Sequence, residues 1–150
     1  MTTIESFKVI GISVRTTNEN GQAMKDIPFL WNKFFEENIK DKIPNRVNDD
    51  LYCVYTHYEK DHTKPYTTIL GYKVKADEVL PEDLVEKTIN KSGYKVFNAK
   101  GKQSEGFVYH EWLKIWNADI NRSYTSDFEI YGAKAQDPEN AEVDIHIALN

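Results

Sequence analysis

The stretch "LYCVYTHYE", Leu51 to Glu59, decides the fold, because a second stretch answers it near the C-terminus: "DFEIYG", Asp127 to Gly132. Both are short, rich in aromatic and β-branched residues, and follow a segment of helical spacing, so both read as strands. Aligned, Tyr52 falls on Phe128, Val54 on Ile130 and Tyr55 on Tyr131, which sets Cys53 against Glu129. Strand alternation puts Cys53, Tyr55 and His57 on one face, and Asp127, Glu129 and Tyr131 on one face of theirs. Glu129 is the anomaly. On an outer face it sits in water at no cost, whereas on an inner face it needs a partner. Strand logic alone leaves both faces open.

Working outward, the same order of elements appears twice. "SFKVIGISVRT" (Ser6 to Thr16) reads as a first strand. Met24, Ile27, Leu30, Trp31, Phe34, Phe35 and Ile39 then follow the three-and-four spacing of a helix with one broad apolar face, Pro28 marking its regular start. "YTTILGYKVKA" (Tyr66 to Ala76) completes a hairpin with Leu51 to Glu59 across the polar loop "KDHTKP". The connector "DEVLPEDLVEKTINKSG" offers only a short helical turn at "PEDLVEK". "YKVFNAKG" (Tyr94 to Gly101) is the next strand, and a second helix carries Val108, Trp112, Ile115 and Trp116. The strands "DFEIYG" and "EVDIHIAL" (Glu142 to Leu149) close the chain. The expectation is an α+β fold: a duplicated β-α-β-β module, with antiparallel sheet and a cleft between halves spanning about 5–77 and 92–149 of one 1–150 domain.

Composition narrows the function. Nine tyrosines, seven phenylalanines and three tryptophans supply a core and more amphipathic rings than a core requires. The net charge of −5 favours cations over free phosphate backbones, so direct nucleic-acid binding is not expected. One cysteine allows no internal disulfide, and neither a leader-like N-terminus nor a membrane-length apolar run is present, which reads as cytoplasmic. The four histidines form no HExxH, so no metal or other cofactor is expected. His62 reads as a solvated loop residue, and Cys53 as a buried, inert thiol. The glycines match no phosphate loop, dinucleotide fingerprint or nucleophile elbow.

"LYCVYTHYEKDHTKPYTTILGYKV", "LVEKTINKSGYKVFNAKG" and "RSYTSDFEIYG" followed by "AEVDIHIAL" resemble, in that order, successive segments of GyrI-like effector-binding domains. Domains of this kind include stand-alone, integron-associated effector-binding proteins, the type that the chain resembles. The resemblance runs from "FKVIGISVRT" to "DIHIAL". It implies a cleft between two modules, hydrophobic or cationic ligands, and an acidic contact on the strand after the second helix, where Glu129 stands. Many relatives carry a helix-turn-helix module and regulate transcription; all 150 residues here are used by the effector domain.

The ligand-binding candidates are Glu129, Tyr131, Tyr55, Trp31 and Trp112, with Trp116 and Phe34 assigned to the core. Aromatic faces attract cations by roughly 0.5–2 kcal/mol each, and a carboxylate among them suits a lipophilic cation. Three functions remain open: a small-molecule binding module, a hydrolase of electrophilic compounds using Glu129, and a protein-interaction role such as gyrase inhibition. A second acid or base beside Glu129 would favour the hydrolase, and none is visible, so no catalytic residue is assigned and binding is the preferred reading.

Overall fold

The computed structural model describes residues 1–150. Its strands are β1 (Thr2–Ile4), β2 (Phe7–Thr16), β3 (Arg46–Thr56), β4 (Tyr66–Val74), β5 (Val85–Ile89), β6 (Ser92–Gly101), β7 (Ser126–Tyr131) and β8 (Ala141–Ala148). Two helices, α1 (Ala23–Glu36) and α2 (Phe107–Trp116), follow β2 and β6. All eight strands share one sheet in the order β1-β6-β8-β7-β3-β4-β2-β5, and every pairing is antiparallel. The order is a palindrome about the β3–β7 pair. There Cys53 faces Glu129, with Tyr52 opposite Ile130 and Val54 opposite Phe128.

Two differences from the sequence reading concern the edges. "VEKTI" is not part of a helical turn but strand β5, held along β2 from Phe7–Ile89 to Gly11–Val85. Its alternation (Val85, Lys87 and Ile89 turned inward, Glu86 and Thr88 exposed) is a strand period hidden in a charged run. At the opposite edge, Thr2–Ile4 pairs with Tyr94, Gly93 and Ser92 of β6. Each edge strand leads by a tight turn into the strand after it in sequence, yet pairs with the other half of the sheet.

The sheet is strongly curled. Phe7 on β2 and Phe128 on β7 have two strands between them, which in a flat sheet means about 14 Å; their ring centroids are 5.2 Å apart. Tyr94 on β6 likewise reaches Phe128, at 5.3 Å. These rings, with Val9, Tyr52, Val54, Ile69 and Ile89, fill the inside of the curl without a helix. The residues of opposite parity carry the helices: Leu30 and Phe34 of α1 lie on Ile10, Leu51, Cys53 and Leu70, and Trp112 and Ile115 of α2 lie on Ala99, Val143 and Ile145. Helices seated on the outside of a curved sheet splay, and the gap between them lies over the β3–β7 seam.

Curling needs room on the inner face. Gly11 and Gly71 are cross-strand partners there, and a Cβ on either would stand 2.0 or 2.1 Å from a backbone carbonyl oxygen, Leu70 O or Ile10 O. Backbone cannot rotate away as a side-chain tip can. Gly71→Ala is therefore expected to destabilise the fold by roughly 1–3 kcal/mol, the usual cost of overpacking, read as a lower urea midpoint in equilibrium unfolding.

Candidate functional site

α1 begins at Ala23, so Pro28 lies inside the helix rather than at its start. Its missing N–H leaves the Met24 carbonyl without the usual helical donor. The broad apolar face read from the sequence is divided between two surroundings. Leu30 and Phe34 go to the core, while Ile27 and Trp31 turn to the gap between the helices, and Phe35 is 60% exposed. In α2, Trp112 and Ile115 are buried, while Trp116, half-buried against that core, also stands in the cavity wall, as does Val108.

These walls enclose a cavity of about 350 Å³ whose floor is the seam. All five residues singled out from sequence, Glu129, Tyr131, Tyr55, Trp31 and Trp112, line it. Glu129 is 2% exposed and makes no salt bridge. Its Oε2 accepts from Tyr55 Oη at 2.9 Å and Trp112 Nε1 at 2.6 Å, and its Oε1 accepts from Tyr131 Oη at 2.7 Å. Three of roughly four lone-pair positions are thus occupied by neutral donors. Cys53 Sγ donates to Tyr55 Oη at 3.4 Å, which makes a relay from thiol to phenol to carboxylate. Trp31 stands edge-on to Tyr131 at 4.8 Å and Trp112 edge-on to Tyr55 at 5.3 Å, so each helix sets its tryptophan on the other half's tyrosine.

The electrostatics follow from burial. Desolvation pushes the Glu129 carboxyl above the usual carboxylate range, against the downward pull of hydrogen bonds from Tyr131, Trp112, Tyr55 and Cys53. Burial, together with the nearby carboxylate, also holds the protons of Tyr55, Tyr131 and Cys53 well above their ordinary pKa values. The buried Cys53 is a reluctant thiolate in this setting.

Several cavity residues were not anticipated. His62 is not a solvated loop residue: its ring stacks on Trp116 with centroids 5.4 Å apart and planes 6° from parallel, and its carbonyl accepts from Asn18 Nδ2 at 2.8 Å. The loop between β3 and β4 is thereby held against α2 and the segment that leads into α1. Tyr66 donates to Asn18 Oδ1 at 2.7 Å and stacks edge-on against Tyr55. Arg122 lines the cavity too, but its Nη2 is bound at 2.8 Å to Asp127, which also accepts from Tyr58 Oη at 2.6 Å. A clue existed in "RSYTSD", an arginine five residues ahead of an acid, but nothing in strand alternation brings it inward. His57 leaves the face assigned to it: β3 ends at Thr56, and at φ 50° His57 turns out to solvent.

An ionised carboxyl whose folded pKa is raised costs stability once pH climbs through that value, and costs nothing below the unfolded pKa. Glu129→Gln is therefore expected to raise the unliganded protein's melting temperature at pH 7 by a few degrees, about 1 kcal/mol. The gain should shrink as pH falls through the raised Glu129 pKa and vanish below the pKa of an unfolded carboxyl. Thermal unfolding of both proteins across that range measures it.

Comparison with known proteins adds the following. The chain matches the family of integron-associated effector binding proteins over residues 1–149. It is 28% identical over 153 aligned positions to YobU of Bacillus subtilis (strain 168), which is named as a candidate transcriptional regulator; the match covers 99% of this chain and 96% of that one. Among solved structures, an integron cassette protein from the mobile metagenome of Vibrio cholerae superposes with a TM-score of 0.75 at 29% identity, covering 99% and 94% of the two chains. SAV2435, solved with bound tetraphenylphosphonium, has the same fold, with a TM-score of 0.74 at 18% identity and coverage of 99% and 92%. With one family matched from end to end, and with that family's sheet and helices in place, this chain belongs to the integron-associated effector binding proteins.

Proposed function

We propose that the protein binds amphipathic, cationic organic molecules in the cavity between α1 and α2, with Glu129 as the compensating charge. The observation that carries this reading is a carboxylate 2% exposed at the floor of an aromatic cavity and without a cationic partner. An ionised group so placed costs several kcal/mol unless something pairs with it, and an organic cation entering the cavity supplies that pairing. The rings of Trp31, Tyr55, Trp112 and Tyr131 add apolar contact and attract positive charge through their faces. Tetraphenylphosphonium, with which a structural relative was solved, is a ligand of this kind.

Binding is favoured over hydrolysis by what surrounds Glu129. Its neighbours are phenols, an indole and a thiol, and the phenols and the thiol hold their protons more firmly than usual. None is a good base near neutral pH.

Titration with tetraphenylphosphonium, followed by tryptophan fluorescence, tests the reading. Glu129→Gln is expected to weaken binding by at least about 10-fold, or 1.4 kcal/mol, with ligand recovered unchanged. Equal affinity in the two proteins would remove Glu129's charge from the account.

Cation binding and proton release are linked at this carboxyl. Wild-type affinity is expected to rise with pH through the Glu129 titration and then level off, whereas Glu129→Gln should show no such rise. Affinity measured at several pH values checks the sign.

A further inference from the structure

On the far side of Tyr58 from the aromatic cavity lies a second concavity of about 480 Å³, and its chemistry is the reverse of the first. Tyr58 stands in both walls. The second groove is formed where β3 ends, by β5, the β5–β6 turn and the segment entering β7. It is lined by 14 residues, of which four are hydrophobic, and not one is an Asp or Glu. In a chain with 24 acidic residues and a net charge of −5, that exclusion sets this surface apart.

We propose that this groove is a second binding site, one that takes a small oxyanion such as phosphate. Lys87 and Lys91 supply the positive charge; Lys91 shares its charge with Glu5 at 3.4 Å, while Lys87 makes no salt bridge. Lys87 sits on β5 opposite Val9, so an edge strand fixes its backbone at the rim. His57 stands beside them in its left-handed turn, its carbonyl taken by Arg15 Nη1 at 2.5 Å. Desolvation, then Lys87 and then Arg15, lower the His57 pKa, in keeping with the lysine's position beside it. Thr88 and Asn90 add a hydroxyl and an amide donor of the kind that complete an oxyanion's shell; Ser123 and Thr125 bond each other at 2.8 Å, which leaves one of the two hydroxyl protons to donate, and Ser92 donates to the Gly93 carbonyl. The groove has tyrosines (Tyr58, Tyr94 and Tyr124) but no carboxylate in its lining, so the two sites select ligands of opposite charge.

The test is a titration of the ¹⁵N-labelled full chain with inorganic phosphate at constant ionic strength, with chloride as the control. Saturable shifts are expected at amides of residues 87–92 and 123–126, together with a rise in the His57 imidazole pKa, because a bound anion stabilises the imidazolium. Lys87→Gln should weaken phosphate by roughly 5- to 10-fold and Lys87→Arg should restore it, with dispersed spectra reporting that both fold. Lys91→Gln gives an independent second variant. Shifts that match chloride, that fail to saturate, or that neither glutamine variant weakens would overturn the site.

Discussion

Everything in this molecule hangs on the pairing of β3 with β7. Six residue pairs, from Leu51–Tyr131 to Thr56–Ser126, join two similar halves into one sheet and place Cys53 directly opposite Glu129. Because the sheet curls inward on Phe7, Tyr94 and Phe128, the helices spread apart above this pairing. The cavity is thus a consequence of sheet curvature rather than of any loop. Trp31 and Trp112 reach the seam from either side without closing the space between them.

The seam is nearly two-fold symmetric, and the departure from symmetry is informative. Tyr55 matches Tyr131, and the two tryptophan–tyrosine contacts cross the seam in opposite directions. At the centre of the seam Cys53 and Glu129 break the relation, giving one charge where symmetry there allows two or none. Two carboxylates so close would oppose each other's ionisation, and two thiols would leave the cavity without charge. A single carboxylate, held by three neutral donors, is tolerable when the cavity is empty and still unneutralised. The buried Arg122–Asp127 pair, by contrast, already balances its charge within the protein, although Arg122 Nε and Nη1 have no hydrogen-bond partner.

Much of this was legible in the residues. Helical spacing of Leu30 with Phe34 and of Trp112 with Ile115 located both helices, and the match of "YCVYT" to "FEIYG" pointed to the seam. Alternation could not choose the face of Glu129, since a strand pattern is unchanged when its two sides are exchanged. β5 was hidden because Glu86 and Lys87 mimic the charge pattern of a helix surface, and only pairing with β2 fixes its state. His62 was misplaced, and the cavity side of Trp116 missed, for a related reason. Their stacked contact joins a loop to a helix more than fifty positions away, and no local period records such a distance.

The edge strands carry one more implication, for synthesis. β1 waits on β6, so Thr2–Ile4 find their strand partner only after β2 to β5 have been made. Until Val85–Ile89 emerges, β2 keeps a bare flank, a template for unwanted pairing. The exchange makes each half the guardian of the other's border, so a chain cut between β4 and β5 would leave both fragments with an open edge.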